Sequence, residues 1–176
     1  MMHDEGRRAS PPRPYQPTGD RLIVPLDAVE ATLTSLRRFG DRESGLFWYG
    51  RRDGSLSIVT SVRTPWQRMT PFNYHVSAEA MTQMGASLDE ELRPLAQVHS
   101  HPGWDTEHSS YDDEMASSRR ALSLVFPHYG RLRSAWPEGV GVHEWQIDYW
   151  QRLSTAETQK RITLAERASV ERLDFR

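Results

Sequence analysis

The sequence predicts an α/β fold of the α+β kind, in which a mixed central β-sheet of about six strands is flanked by helices. Short apolar runs alternate along the chain with segments whose apolar residues recur at helical spacing. An Asp-Gly pair between two apolar runs predicts a β-hairpin. With 176 residues, 37% of them hydrophobic, the chain is long enough for one domain with a proper core.

In the first half of the chain, Pro and Gly residues separate the predicted elements. Strands are predicted at 21–25, 45–50, 56–62 and 73–77, and helices at 27–39 and 78–93. Asp27 is a plausible N-cap for the first helix and Gly40 ends it. The hairpin turn falls at Asp53-Gly54, and two prolines predict a loop at 64–73.

In the second half, strands are predicted at 95–101, 122–127 and 139–153, and a helix capped by Ser109 or Ser110 at 109–121. The domain organisation then follows from composition. Residues 1–19 are rich in proline and predict a disordered arm, residues 20–153 form the folded domain, and the charged segment 154–176 predicts a C-terminal helix.

Composition excludes several classes of function. A net charge of −2 argues against a broad nucleic-acid surface. The chain has no cysteine, which removes disulfides, cysteine-type zinc sites and thiol nucleophiles. No run approaches the ~18 apolar residues that span a bilayer, and the N-terminus carries no apolar signal-peptide core. We therefore expect a cytoplasmic protein that binds neither membranes nor nucleic acid.

The stretch HSHPGWDTEHSSYDD, residues 99–113, carries the densest chemistry. His99 and His101 alternate, so in an extended strand their side chains project from the same face, close enough to chelate one ion. The first turn of the following helix would present Asp112. Two imidazoles and one carboxylate leave a fourth position open, which is typical of a catalytic zinc site.

These residues resemble the signature of the JAMM (JAB1/MPN+/Mov34) metalloproteases. The family pattern is His-x-His, seven residues, Ser, two residues, Asp, and it matches His99, His101, Ser109 and Asp112 without gap or substitution. The resemblance covers roughly residues 21–150. Within the family, the chain is most similar to the small prokaryotic deubiquitinase-like members. It implies an MPN/JAB-like fold with a cytidine-deaminase-like arrangement.

The family also requires a glutamate upstream, in a run that ends in glycine. Glu43 in the run ESGLFWYG fits that place, with Gly50 at the expected distance. The chain departs from the common pattern in one respect. Many members carry glycine three residues after the glutamate, whereas here Gly45 follows at two and Leu46 stands at three.

The resemblance implies a role for each matched residue. His99, His101 and Asp112 would bind one Zn²⁺ per chain. Glu43 would act as the catalytic base that deprotonates the attacking water and passes the proton to the leaving amine. Ser109 would donate a hydrogen bond to the oxyanion of the tetrahedral intermediate. Ser100, between the histidines, would face the other side and pack or cap.

Residues around the motif have two readings each. Trp104 and Asp105 either tuck against the core or form one wall of a substrate groove, with Trp66 on the other wall. Asp113 is the adjacent rival of Asp112 as a ligand, but it misses the family spacing and is expected to be a solvated charge. His108 is expected to be exposed, with contact to a ligand as the alternative. The remaining histidines are expected to be structural rather than catalytic: His75, His128 and His143.

The implied function is hydrolysis of the bond after the C-terminal tail of a ubiquitin-like protein, as precursor processing or deconjugation. The implied setting is a bacterial ubiquitin-like conjugation operon, with E1-like and E2-like partners and a possible role in antiphage defence. Three alternatives stay open: a sulfur-carrier-protein peptidase in cysteine or cofactor synthesis, a RadC-like protein, and a catalytically silent MPN-type scaffold. The absence of a basic DNA-binding segment argues against the second, and the complete ligand set argues against the third.

Overall fold

The computed structural model describes residues 10–116 and 118–176. The strands in these ranges are β1 (Arg21–Pro25), β2 (Gly45–Asp53), β3 (Leu56–Thr64), β4 (Arg68–Thr70), β5 (Asn73–His75), β6 (Arg93–Ser100), β7 (Leu122–Phe126), β8 (Gly141–Trp145), β9 (Trp150–Arg152), β10 (Ile162–Ala165) and β11 (Glu171–Asp174). The helices are α1 (Leu26–Arg38), α2 (Ala78–Gly85), α3 (Ser110–Met115) and α4 (Thr155–Arg161), and His128–Gly130 form a 3-10 turn.

One mixed sheet organises the molecule. Its strands lie in the order β10-β1-β3-β2-β6-β7-β8-β9, and β11 pairs with β3 beyond the end of the β1–β3 pairing. Strands β4 and β5 form a separate two-stranded hairpin. The predicted α/β class is confirmed, but about six strands is too few: the described residues place nine strands in the main sheet.

The two faces of the sheet are covered by different helices, and strand β2 shows why. Leu46 and Trp48 are fully buried in the large core that includes α1, where the Trp48 indole N–H donates to Thr32 Oγ1 at 2.8 Å. Phe47 and Tyr49 point to the opposite face and pack with α2. A strand buried on both faces reads as a continuous apolar run, which GLFWYG is.

Several predicted elements are shorter than the sequence suggested. Helix α2 ends at Gly85 rather than residue 93, because the chain turns through 86–92 and β6 has already begun at Arg93. Helix α3 ends at Met115 rather than residue 121. The predicted loop 64–73 contains β4, which pairs with β5. The predicted single strand 139–153 is the hairpin β8–β9, because residues 146–149 turn the chain back.

The predicted C-terminal helix over 154–176 is wrong beyond residue 161. Helix α4 begins at the Ser154 capping box and ends at Arg161, where the chain joins the edge of the sheet as β10, parallel to β1. Strand β11 then pairs in parallel with β3. Edge positions offer unpaired backbone groups, and pairing with them outweighs the helical propensity of a charged segment.

The proline-rich arm is ordered where it is described. Tyr15 packs against the core and its hydroxyl donates to the Glu144 carboxylate, and Arg13 contacts Asp148 at 3.2 Å. The prediction of disorder is therefore wrong for residues 10–19, since these contacts tie the segment to β8 and the turn after it. Residues 1–9 of the predicted arm lie outside the described residues.

No helix within residues 10–116 and 118–176 is long and apolar enough to cross a membrane.

Gly50 is required by close packing between β2 and its neighbours. A Cβ atom there would lie 1.8 Å from the Ile58 carbonyl oxygen and 2.7 Å from Leu95 Cδ1. We expect Gly50→Ala to lower the free energy of unfolding by about 1–3 kcal/mol or more, because backbone must move to admit the methyl group. Urea denaturation measures this. The matched control is Gly85→Ala, where nothing lies within 4 Å, and equal stability of the two variants would contradict the prediction.

Candidate metal centre

The candidate metal centre is built where β6 ends and α3 begins. His99 is the next-to-last residue of β6, and His101 follows that strand with its backbone N–H bonded to the Phe126 carbonyl at 2.8 Å. Asp112 stands in the first turn of α3, which Ser109 caps. The two histidines therefore come from a strand end, and the carboxylate comes from a helix start, as the spacing predicts.

The three side chains converge on one point. His99 Nε2 lies 3.2 Å from His101 Nε2 and 3.2 Å from Asp112 Oδ1, and His101 Nε2 lies 3.3 Å from Asp112 Oδ2. Each of the three residues offers one ligand atom, and these three atoms lie within 4.8 Å of one another. Such mutual distances suit the coordination of a single ion.

A hydrogen bond to the His101 ring leaves its Nε2 facing the candidate ion position. His101 Nδ1 lies 3.0 Å from the Asp105 carbonyl oxygen, so this nitrogen carries a proton and Nε2 is the nitrogen left to bind an ion. His99 Nδ1 is buried with no hydrogen-bond partner among the described residues, so ligation through Nε2 would leave the Nδ1–H without an acceptor. The donor set of two imidazoles and one carboxylate fits a divalent metal ion.

The electrostatics of His99 and Asp112 favour the forms that bind metal, whereas His101 is held towards its protonated form and would release a proton on binding an ion. Burial lowers the pKa of His99, although Asp112 opposes this effect, and the ring stays neutral at neutral pH. Burial alone would also lower the pKa of His101, but the carboxylates of Asp112 and Glu43 overcome it and raise the pKa. Burial opposes ionisation of Asp112, yet the two histidines hold its pKa well below its usual range.

Glu43 stands just before β2, beside the cluster. Its side chain is buried, with 7% of the residue exposed, and its charge acts on His101, Tyr74 and Tyr129. Its backbone N–H donates to the Thr70 carbonyl at 2.9 Å. The structure thus brings the sequence-predicted base within electrostatic reach of His101, one of the three candidate ligands.

Ser109 is bonded to Asp112 in three ways. Its hydroxyl lies 2.8 Å from Asp112 Oδ2 and accepts from the Asp112 backbone N–H at 3.2 Å, and its own backbone N–H donates to Oδ2 at 2.7 Å. The single hydroxyl proton is therefore directed at the carboxylate. In this arrangement Ser109 fixes the orientation of Asp112, and the predicted oxyanion role requires that the hydroxyl turn away from it.

The residues predicted to line a substrate groove lie on the loops around the cluster. Trp104 is 81% exposed and Trp66 is 49% exposed. Asp105 contacts the site through its main chain, since its carbonyl oxygen accepts from His101, while its carboxylate accepts from the Glu107 backbone N–H at 2.9 Å. Ser100 points to the opposite face, where its Oγ accepts from the Ser44 backbone N–H at 3.2 Å.

Tyr129 joins two of these loops. Its backbone N–H donates to the His101 carbonyl at 2.9 Å, and its hydroxyl donates to the Pro71 carbonyl at 2.8 Å, at the tip of the β4–β5 turn. His128 and Tyr129 both adopt positive φ, at 53° and 55°, which costs energy for residues other than glycine. The left-handed turn places Tyr129 where it joins the β4–β5 hairpin to the loop that follows β6.

Tyr74 is a site residue that sequence reasoning missed. Its ring stacks on His99 with centroids 5.5 Å apart, and its hydroxyl accepts from Gln97 at 3.3 Å. A Cβ atom on Gly45 would lie 2.3 Å from the Tyr74 ring. The position of glycine two residues after Glu43 therefore has a physical reason, because only a hydrogen leaves room for this ring.

A second polar layer lies behind the cluster, and two expectations about it are corrected. His108 is buried rather than exposed, with Nε2 2.8 Å from Ser123 Oγ. Asp113 is not a free solvated charge, because its Oδ1 lies 2.8 Å from His108 Nδ1. The ring of His143 stacks on His108 at 3.9 Å, and its Nε2 lies 3.3 Å from Glu107 Oε1. His143 therefore has the structural role that the sequence predicts, and with His108 it supports the loop between β6 and α3.

Comparison with known proteins gives two informative relationships. No family model matches the chain. The chain is 30% identical over 119 residues to probable metalloprotease y4jG of Sinorhizobium fredii, and the match covers 62% of this chain and 73% of that protein. The chain belongs to the family of that metalloprotease. Together with the three converging donors, this membership indicates a metal-dependent hydrolase.

The fold has a solved counterpart. The solution structure of protein DSY2949 from Desulfitobacterium hafniense matches with a TM-score of 0.54 and 21% sequence identity, covering 82% of this chain and 93% of that one. At this identity the likeness concerns the fold alone.

Metal binding tests the cluster directly. We expect the purified protein to bind one divalent metal ion per chain and a chelator to remove it. His101→Ala should lower the bound metal to near zero, because two donors cannot hold the ion against competing water and chelator. Elemental analysis measures the metal content. His75→Ala, the same change outside the cluster, should leave one ion per chain, and equal metal loss in both variants would refute the assignment.

The buried His143 should make stability depend on pH. Burial and the neighbouring His108 lower the pKa of His143 to about 3 from its usual 6.5. The unfolded chain takes up a proton near pH 6.5 and the folded chain only near 3, so this residue reduces stability as pH falls through that window.

His143→Gln should flatten this dependence by about 1 kcal/mol per pH unit between pH 6 and 4, because an amide does not titrate. Urea denaturation of both proteins, with chelator present throughout, provides the comparison. Parallel stability curves for the two proteins would show that His143 does not contribute.

Proposed function

We propose that the protein is a zinc-dependent peptidase of the JAMM type that hydrolyses the bond after the C-terminal tail of a ubiquitin-like protein. The observation that carries the proposal is the convergence of His99, His101 and Asp112 beside the buried carboxylate of Glu43. The spacing of these residues with Ser109 supports the JAMM type, and the metalloprotease relative supports the reaction class.

The donor set favours zinc. Two imidazoles and one carboxylate, with further positions left for water and substrate, are typical of catalytic zinc sites. Zinc bound there would polarise the scissile carbonyl and lower the pKa of a water molecule to about 7. His101 is the ligand open to solvent, with 15% of its side chain exposed against 1% for His99, so substrate would approach from its side.

The chain's own groups supply the proton transfers. The Glu43 carboxylate takes a proton from the attacking water, whose oxygen bonds to the carbonyl carbon. The carbon–nitrogen bond then breaks, and the same proton passes from Glu43 to the leaving amine. Asp112, held by Ser109 and both histidines, stays ionised throughout this cycle.

The substrate class is supported by the rim of the site. Trp104 projects into solvent directly after the ligand pair, and Phe72 at the hairpin tip is 74% exposed. Flexible, extended tails bind by backbone pairing and by contacts between alternate side chains and apolar walls. Trp66 and Asp105 would add to those walls. We propose the cytoplasm as the location and E1-like and E2-like proteins as partners, because the resemblance to the JAMM family implies a ubiquitin-like conjugation system.

Glu43 is the residue whose removal separates catalysis from metal binding. We expect Glu43→Gln to lower the rate constant of cleavage by about 100-fold or more, since general base catalysis contributes on this scale. Its metal content should stay at one ion per chain, because Glu43 is not among the three ligands. Rates come from intact mass measured over time on a ubiquitin-like fusion. Equal cleavage by the variant and the unchanged enzyme would show that Glu43 is not the general base.

Substrate choice can be read in the same assay. Zinc-loaded protein is incubated with a precursor of a ubiquitin-like protein, with its conjugate, and with a sulfur-carrier protein bearing an extended tail. Cleavage after the glycine-ended tail of the first two supports the proposal. Cleavage of the sulfur carrier alone would favour a role in cysteine or cofactor synthesis, and binding without cleavage would favour a scaffold.

A further inference from the structure

Strand β2 lacks a neighbour on one side at its first residues. Pairing between β2 and β3 begins at Phe47 and Arg63, so Gly45 extends beyond it. Strand β3 ends at Thr64, and the next residue is Pro65, which has no backbone N–H to continue the ladder. The backbone groups of Gly45 on this side therefore need partners from elsewhere.

The side chain of Gln67 supplies both partners. Its Oε1 accepts from the Gly45 N–H at 2.8 Å, and its Nε2 donates to the Gly45 carbonyl at 2.8 Å. The same Nε2 lies 3.2 Å from the Pro65 carbonyl. Gln67 is buried, with 6% of the residue exposed. A side-chain amide thus replaces one residue of a missing strand.

The paired glycine is two residues from Glu43 and directly opposite His99 in the β2–β6 register. On the β6 side, the Ser100 backbone N–H donates to the Ser44 carbonyl at 3.0 Å. On the other side, the Glu43 backbone N–H donates to the carbonyl of Thr70, the last residue of β4, which begins directly after Gln67. The backbone that carries Glu43 is therefore held from both sides, and Gln67 provides the two shortest contacts on the outer side.

The chemistry of the position is specific to glutamine. Gly45 and Pro65 present one donor and two acceptors, and a primary amide offers one acceptor and two N–H donors in a fixed plane. Glutamate of the same length would face two carbonyl oxygens with another acceptor. Asparagine is shorter by one methylene, and methionine fills the volume without any hydrogen bond.

We propose that Gln67 is a positioning residue that holds Glu43 at the correct distance from the metal ligands. The proposal rests on the proposed function of Glu43 as the base. Gln67 itself touches neither the three ligands nor the reacting atoms, and it acts by fixing the first residues of β2. A displacement of the base by about 1 Å can cost 100-fold in rate.

The test compares Gln67→Met, Gln67→Glu and the control Gln83→Met, which removes an exposed amide from α2. We expect Gln67→Met to lower kcat by about 10- to 100-fold. KM and the dissociation constant for Zn²⁺ should stay within twofold of the unchanged enzyme, and the control should match it throughout. Gln67→Glu keeps the acceptor for the Gly45 N–H but turns a second acceptor towards both carbonyl oxygens, so it should lower kcat by at least as much as Gln67→Met. Either variant that folds tests the inference.

Combination with Glu43→Gln separates positioning from general support of the fold. If Gln67 acts through Glu43, then adding Gln67→Met to Glu43→Gln lowers the residual single-turnover rate by less than twofold. The same 10- to 100-fold loss in both backgrounds, a parallel loss of zinc affinity, or an unchanged kcat would overturn the inference. Full activity of Glu43→Gln alone would instead overturn the proposed function, so the two failures are distinguishable.

Discussion

The register between β2 and β6 is the constraint on which the candidate site depends. It places Gly45 opposite His99, and so fixes where Glu43 stands relative to the ligands. The same pairing buries Leu46 and Trp48 in the large core. A shift of one residue would send these side chains to the opposite face and move Glu43 along the strand. Core burial and site geometry are therefore set by one alignment.

Most of the polar groups buried at this edge of the core satisfy one another, although His99 Nδ1 and His143 Nδ1 have no hydrogen-bond partner among the described residues. The Asp112 carboxylate receives the Ser109 hydroxyl and backbone N–H and contacts both histidines. Behind it, His108 and His143 stack and find partners in Ser123, Asp113 and Glu107. A buried polar group without a partner costs about 1–3 kcal/mol, so a layer of this kind has to be nearly complete to persist. The ligands are consequently held in place by protein contacts as well as by any ion.

The sequence predicted the parts of this arrangement that depend on local spacing. Alternation along a strand placed His99 and His101 on one face, and the capping position of Ser109 placed Asp112 in the first turn of α3. It did not predict contacts between distant segments. Nothing in the pattern distinguishes Gln67 or Tyr74 from ordinary loop and strand residues, because their roles exist only once the chain has folded. The C-terminal segment shows the same limit: its charged composition favours a helix, but the free edges of β1 and β3 recruit it as strands.

The division between rigid and open parts of the site bears on what determines substrate choice. The three candidate ligands and Glu43 come from strand ends and a helix start, where backbone pairing fixes them, so the candidate site has little freedom to adapt. Trp104 and Phe72 lie on loops and expose most of their surface. Tyr129 joins the two loops through main-chain carbonyls, which ties the positions of their backbones together but leaves these side chains free to meet a partner. Substitution of Trp104 or Phe72 would therefore change the rim and leave the hydrogen bonds of His101 and Asp112 in place.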